Sequence, residues 1–248
     1  MSFALAVVHL DEALHQEGCP ICRLRTQAAR RAVDAFLWEN VNDVQARQPL
    51  LDAYGLCPEH TRLLAAVELR TSGPALGVNI IYEQLGRRTA EELRRLNLPQ
   101  PSAPRWLRWL RQKLGITQAP VLPARSRCPL CIQMEQSDLN NLHTLFETLE
   151  AHPEQIWELY RVSDGLCLAH LRQGLECHAA EFPAAAQRLR QDAIQRMEAN
   201  SEHMREYLRK NNWEYRAEPI SPEEGAAWRR QLTLFTGYPG SRFTIDLD

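Results

Sequence analysis

The 248-residue chain has no long apolar run and no basic leader at its start. A transmembrane helix needs roughly 18 or more consecutive apolar residues, and no segment approaches that length. The opening segment, MSFALAVVHLDEALHQEG, is apolar only at its beginning and then becomes acidic. It therefore predicts the first helix of the fold and not a signal peptide, and we expect a cytoplasmic protein.

The sequence is also poor in the alternating apolar and polar runs, rich in β-branched residues, that are typical of β-strands. Apolar residues recur instead at helical spacing, for example at Ile21, Leu24 and Ala28. Ser221 and Glu224 flank a Pro-Glu pair in the order that is typical of a capped helix start. These patterns predict an all-α fold.

Recognisable catalytic patterns are missing as well. The chain shows no Ser-His-Asp set, no glycine-rich phosphate loop and no paired-carboxylate motif. Gly73-Pro74 predicts a turn and not a phosphate loop. The sequence therefore identifies no catalytic residue and favours a protein that is not an enzyme.

Acidic residues are absent from the middle of the chain. The range Leu93–Met134 contains eight Lys and Arg residues and no Asp or Glu, and five prolines interrupt residues 98–127. We predict a basic, proline-rich connector with one short amphipathic helix, Arg105–Leu114. The candidate partner-binding residues of this helix are Arg105, Trp106, Arg108, Trp109, Arg111 and Lys113.

The connector helix has two interpretations. It packs on the acidic helices of its own chain, or it binds an external partner through its basic face. The net charge of −2 favours the first interpretation, because a basic connector leaves an acidic excess in the rest of the chain. Another protein is the favoured external partner, and a nucleic acid or an anionic membrane surface is less favoured.

Two short patterns each occur twice, in the same order. CPICRLRTQ begins at Cys19 and CPLCIQMEQ at Cys128, an offset of 109 residues, while YGLCPEH ends at His60 and DGLCLAH at His170, an offset of 110. Chance explains such a recurrence poorly, so we predict an internal duplication. The predicted segments are a first helical unit over 1–97, the connector over 98–127, a second helical unit over 128–212, and a C-terminal helix and tail over 213–248.

The repeated patterns contain the ligands of a metal site. Cys-x-x-Cys at a tight turn brings two sulfurs to one ion, and Cys-x-x-His at a helix start adds a third sulfur and an imidazole nitrogen. Taken within each copy, these residues predict two homologous helical units, each clamped by a Cys3His site. The two predicted sites are Cys19, Cys22, Cys57 and His60, and Cys128, Cys131, Cys167 and His170. Cys3His is an established zinc combination, so we expect two structural Zn²⁺ ions.

Three alternatives stay open for these cysteines. An iron–sulfur cluster would use the same residues, although clusters are usually held by four cysteines. The CPxC pairs would serve as redox thiols in a second interpretation, although no βαβ pattern accompanies them. In the third, the cysteines are reduced core residues without a metal. Cys177 aligns with Val67 in the duplication and is interpreted as a core residue.

The order of these motifs resembles an uncharacterised bacterial family, a domain of unknown function, over nearly the whole chain. The residues that carry the resemblance are Cys19–Cys22, Asn42-Asp43, Gly55–His60, Tyr82-Glu83, the second copy over 128–170 and the helix around Trp228–Leu232. The resemblance implies duplicated metal-binding helical units and brings no known activity. We therefore hypothesise a zinc-binding helical protein that acts as an interaction or adaptor module.

Overall fold

A computed structural model of the protein describes residues 3–70, 75–96, 109, 113 and 125–237. Within these residues the chain forms ten α-helices and no β-strand, so the all-α prediction is confirmed. The helices are α1 (Phe3–Leu14), α2 (Pro20–Ala35), α3 (Val44–Asp52), α4 (Pro58–Arg70), α5 (Leu76–Arg95), α6 (Pro129–Ala151), α7 (Pro153–Val162), α8 (Leu168–His178), α9 (Pro183–Lys210) and α10 (Pro222–Thr236). None of these ten helices is long and apolar enough to cross a membrane.

The helix boundaries follow from local sequence. Asp43 caps α3 because its side chain accepts hydrogen bonds from two backbone amides of the first turn. Ser221 and Glu224 form the predicted capping box at the start of α10. Gly55 and Gly165 adopt φ angles of 91° and 75° in the turns before the two CxxH motifs. Glycine adopts this left-handed backbone conformation without strain, which explains why both turns contain a glycine.

The chain divides into two compact units. Unit 1 comprises Met1–Ala29 and Gln133–Asp248, and unit 2 comprises Arg30–Ile132. These units differ from the predicted segments 1–97 and 128–212. The two boundaries between the units lie inside α2 and α6, the helices that carry the CxxC motifs. The beginning of the first predicted segment therefore packs with residues of the second predicted segment.

Unit 1 has a continuous hydrophobic core to which the beginning of the chain contributes. Leu14 and Ile21 lie in the same buried cluster as Leu145, Phe146 and Leu189. Helix α1 contacts α7, α9 and α10 pack on each other, and both of them contact α8. The start of α2 is thus fixed among the helices of unit 1 by the burial of its apolar residues.

Unit 2 is built around the packing of α4 on α5. Leu64 and Val67 of α4 are buried, as are Ile81 and Leu85 of α5. The two residues of each pair lie three or four positions apart, so each helix presents one apolar face to the interior.

The packing of α8 on α6 requires a glycine at position 174. A Cβ atom there would lie 2.6 Å from Phe146 Cε2, and the Phe146 ring is fully buried. We expect Gly174→Ala to lower the free energy of unfolding by about 1–3 kcal/mol through overpacking. The matched control is Gly86→Ala in α5, where a Cβ would meet nothing within 4 Å. That change should stabilise the helix by up to about 1 kcal/mol. Urea unfolding followed by circular dichroism measures both changes, and equal stabilities would contradict this packing.

The connector lies largely outside the described residues. Of its candidate partner-binding residues, the structure describes Trp109 and Lys113, which are both helical. The Trp109 side chain is 55% exposed, and Lys113 Nζ lies 4.4 Å from the centre of its ring. Arg105, Trp106, Arg108 and Arg111 lie outside the described residues. A binding role for this helix therefore stays a prediction.

Candidate metal centres

The structure brings all eight predicted ligands together, in two groups of four. Site I consists of Cys19, Cys22, Cys167 and His170, and site II of Cys57, His60, Cys128 and Cys131. Within each group the ligand atoms all lie within 4.8 Å of one another. All ligands of site I belong to unit 1, and all ligands of site II belong to unit 2.

The grouping corrects the predicted assignment of ligands to sites. Each CxxC motif meets the CxxH motif of the other copy, so Cys22 lies beside Cys167, 145 positions away. The two copies offer chemically identical half-sites, and either pairing supplies three sulfurs and one nitrogen. Packing decides between the pairings, because Ile21 beside Cys22 is fully buried in the core of unit 1.

Site I is a compact set of four ligand atoms. His170 Nδ1 lies 3.5 Å from Cys19 Sγ, 3.3 Å from Cys22 Sγ and 3.3 Å from Cys167 Sγ. The sulfurs of Cys22 and Cys167 are 3.8 Å apart. Three of the four residues are buried, so the group is largely shielded from solvent.

Site II repeats this geometry with its own residues. His60 Nδ1 lies 3.3 Å from Cys57 Sγ, 3.5 Å from Cys128 Sγ and 3.4 Å from Cys131 Sγ. Cys57 Sγ and Cys131 Sγ are 3.7 Å apart. Two of its four residues are buried, against three in site I, so site II is the more exposed of the two.

These distances fit one tetrahedral ion in each site. Zn–S bonds of about 2.3 Å and Zn–N bonds of about 2.0 Å give S–S edges of about 3.8 Å and S–N edges of about 3.5 Å. The observed S–S edges are 3.8 and 3.7 Å, and the S–N edges lie between 3.3 and 3.5 Å. An iron–sulfur cluster would place iron and sulfide atoms between the ligands and separate them further.

Helix starts position the ligands of both sites. Cys22 and His170 lie in the first turns of α2 and α8, and Cys167 is the residue that precedes α8. His60 and Cys131 occupy the same positions in α4 and α6. The first amides of a helix have no partner within the helix and carry a partial positive charge. Two helix starts therefore stabilise the thiolate charge of each site.

Without a bound cation, the closely spaced thiols of a site cannot all ionise. Hydrogen bonds with Cys167 and Cys19, together with burial, raise the pKa of Cys22, whereas hydrogen bonds from Cys19 and Cys22 lower the pKa of Cys167. Burial and the hydrogen bond with Cys57 raise the pKa of Cys131 to about 12. One thiolate thus suppresses the ionisation of its neighbours. A divalent cation would remove this conflict, since metal binding requires deprotonated cysteines.

Gly237, the residue that follows α10, closes one side of site I. It has a φ angle of 78°, and its amide donates to the carbonyl oxygen of Thr233 at 2.8 Å. A Cβ atom at this position would overlap Cys22 Sγ and would lie 3.3 Å from Cys167 Sγ. The end of α10 therefore approaches the sulfurs closely enough that only glycine fits.

A buried carboxylate lies behind the imidazole of site I. Asp138 Oδ2 is 3.6 Å from His170 Nε2 and forms an ion pair with Nη1 of Arg25. Burial disfavours the charged imidazole, but the neighbouring Asp138 carboxylate and the hydrogen bonds with Cys167 and Cys19 outweigh it and raise the pKa of His170 to about 11. Sequence reasoning missed Asp138. The available signal was an acidic residue on the apolar face of α6, between Met134 and Leu142.

The loop that carries Cys167 is fixed by residues that the motifs did not indicate. Arg196 donates to the carbonyl oxygens of Ser163 at 2.7 Å and Arg161 at 3.0 Å, and Tyr160 Oη accepts from the amide of Leu166 at 2.9 Å. These bonds hold the loop between α7 and α8. The position of Cys167 therefore depends on α9 as well as on its own motif.

Cys177 is exposed, so its interpretation as a core residue is wrong. The buried face of α8 runs through His170, Gly174 and His178, at intervals of four residues. The buried face of α4 runs through His60, Leu64 and Val67, so its third member comes one residue earlier. This small rotation places Cys177 outside the interior.

The comparisons with known proteins give a family but no activity. An uncharacterised 23.9 kDa protein in the xynA 3′ region of Caldicellulosiruptor sp. (strain Rt8B.4) is 34% identical over 76 residues, which are 31% of this chain and 34% of that protein. The chain thus spans about a third of that relative. No solved structure matches. The model of a family of unknown function, DUF6062, matches residues 1–238, and the chain belongs to that family.

Proposed function

We propose that the protein is a non-enzymatic helical protein that holds two structural Zn²⁺ ions and serves as an interaction or adaptor module. The observation that carries the proposal is the four-ligand composition of both sites, each with three sulfurs and one nitrogen. Structural zinc sites have four protein ligands, whereas catalytic sites keep one position open for water or substrate. A bound zinc ion would supply a cross-link between distant helix starts.

The edge lengths of both sites support zinc over an iron–sulfur cluster. Cys22 Sγ and Cys167 Sγ lie 3.8 Å apart, which suits two ligands of one small ion. Zinc has no redox chemistry and accepts tetrahedral sulfur and nitrogen ligands readily. This favours a permanent structural role over electron transfer or thiol exchange.

The exposed face of α10 supports a role in binding another protein. Trp228, Leu232 and Phe235 lie at helical spacing and are 43%, 39% and 53% exposed. Single exposed apolar residues are ordinary on a protein surface, but several on one helical face are typical of an interaction site. Because Gly237 directly follows α10 and lies against the sulfurs of site I, the metal of that site would fix the helix that presents this face.

Metal analysis of protein purified without oxygen tests this proposal. We expect zinc at a ratio close to the two sites of the chain, and no absorption band in the visible range. Iron with sulfide and a brown colour would contradict the zinc assignment in favour of a cluster. Protein without any metal would contradict the proposal as a whole.

A further inference from the structure

The two metal sites are equivalent in their ligands but differ in what surrounds them. In site I, His170 Nδ1 faces all three sulfurs at 3.3–3.5 Å, so the other ring nitrogen, Nε2, points away from the ion position. A histidine that binds a metal through Nδ1 carries its proton on Nε2. That N–H group requires a hydrogen-bond acceptor, and the position of the acceptor fixes the orientation of the imidazole ring.

Asp138 is placed to be that acceptor. Its Oδ2 atom lies 3.6 Å from His170 Nε2, and a shift of a few tenths of an ångström would make this contact a hydrogen bond. The Asp138 side chain is 2% exposed, so the carboxylate is removed from competing water. Its Oδ1 atom is buried and has no hydrogen-bond partner among the described residues.

Arg25 keeps this buried carboxylate in place. Nη1 of Arg25 pairs with Asp138 Oδ2, and the Arg25 side chain is 34% exposed. Arg25 follows Cys22 by three residues, so one helix, α2, supplies both a ligand and the cation that anchors the carboxylate. A buried carboxylate without a cation would be costly, and this ion pair offsets part of that cost.

The corresponding position of the other copy has no carboxylate. At the offset of 109 residues that relates the two CxxC motifs, Asp138 aligns with Ala29. Site I also has one more buried ligand than site II, and Gly237 covers its sulfurs. The carboxylate and the greater burial of the ligands therefore both favour tighter metal retention in site I.

We propose that Asp138 is a positioning residue that holds the His170 ring in its metal-binding orientation and makes site I the tighter of the two sites. The inference rests on the proposed metal-binding function. Site I would then retain its ion permanently, whereas site II would lose its ion first when zinc is scarce. Carboxylate partners of metal-bound histidines typically change metal affinity by about 10–100-fold.

The test measures the affinity of each site separately in the full chain. Cys131→Ala disables site II, and Cys22→Ala disables site I, so each variant keeps one site for titration with Zn²⁺ against a chromogenic chelator. We expect the Cys131→Ala protein to bind its ion more tightly than the Cys22→Ala protein. Adding Asp138→Asn to Cys131→Ala should weaken binding by about 10–100-fold. Adding it to Cys22→Ala should leave the affinity of site II unchanged.

Two controls separate positioning from a general loss of structure. Glu147→Gln makes the same change of charge on α6, at a side chain that is 41% exposed, and should not alter the affinity of site I. The visible spectrum at saturating Co²⁺ should change with Asp138→Asn, because the imidazole orientation changes, while helical circular dichroism stays constant. If Asp138→Asn folds poorly, Arg25→Gln should still weaken site I several-fold by freeing the carboxylate.

The outcomes distinguish this inference from the proposed function. Unchanged Zn²⁺ affinity and an unchanged Co²⁺ spectrum in Asp138→Asn would overturn the role of Asp138, while the metal sites themselves would stand. Failure of the Cys131→Ala protein to bind any Zn²⁺ would overturn the proposed function instead.

Discussion

We expect Gly237→Ala to abolish stable metal binding at site I and to leave site II loaded. The new Cβ atom would lie close enough to Cys22 Sγ to overlap it, so one of the two must move. The shortest movement is rotation of the Cys22 side chain, and this rotation takes one sulfur out of the ligand group. The left-handed backbone of Gly237, with φ at 78°, adds about 1–2 kcal/mol for any residue with a Cβ.

Gly225→Ala is the matched control for this variant. Gly225 lies in the same helix, and a Cβ there would approach no atom closer than 3.9 Å, from Ile220. The Gly225→Ala protein should retain both ions and gain up to about 1 kcal/mol in its free energy of unfolding, because alanine is the better helix former. Zinc content after dialysis against a moderate chelator measures the difference. A Gly237→Ala protein that keeps both ions under these conditions would contradict the close approach of α10 to site I.

Cys22→Ala should have the largest effect on stability of any single substitution discussed. The ion of site I would join residues that lie 145 positions apart, so its loss frees a long closed loop. Structural zinc ions contribute apparent binding energies on the order of 10 kcal/mol, and this energy is coupled to folding. We expect one ion fewer per chain and the unfolding of unit 1 at much lower urea concentration.

The exposed cysteine provides the control for this prediction. Cys177 belongs to neither ligand group, so Cys177→Ala should keep both ions and the stability of the parent protein. Zinc analysis and urea unfolding followed by circular dichroism measure both variants. Equal metal content in the Cys22→Ala and Cys177→Ala proteins would show that Cys22 is not a ligand.

The helices could be predicted because local chemistry determines where they begin and end. Ser221 and Glu224 cap α10 through bonds to backbone amides of the same turn, and the prolines of the CxxC motifs begin α2 and α6. The ligands could be predicted for the same reason, since Cys-x-x-Cys and Cys-x-x-His are local patterns. The occurrence of both patterns twice, in the same order, made each one harder to attribute to chance.

The assignment of ligands to sites could not be predicted in the same way. Within each copy, 34 or 35 residues separate the CxxC motif from the CxxH motif, which suggested that both motifs bind the same ion. The burial of Ile21 instead places the first CxxC motif in the core of unit 1. Gly237 and Asp138 were missed because each acts only through a contact with a distant segment. Neither a glycine after a helix nor an acidic residue on an apolar face identifies its partner.

The exchange of half-sites between the two copies is the central claim, and metal counting in paired variants tests it most directly. Cys22→Ala combined with Cys167→Ala removes two ligands of site I, so we predict that the doubly substituted chain keeps the ion of site II. Cys22→Ala combined with Cys57→Ala removes one ligand from each site, so we predict that neither ion is retained. The opposite result, with one ion kept in the Cys22 and Cys57 pair and none in the Cys22 and Cys167 pair, would contradict the exchange and place each site within its own copy.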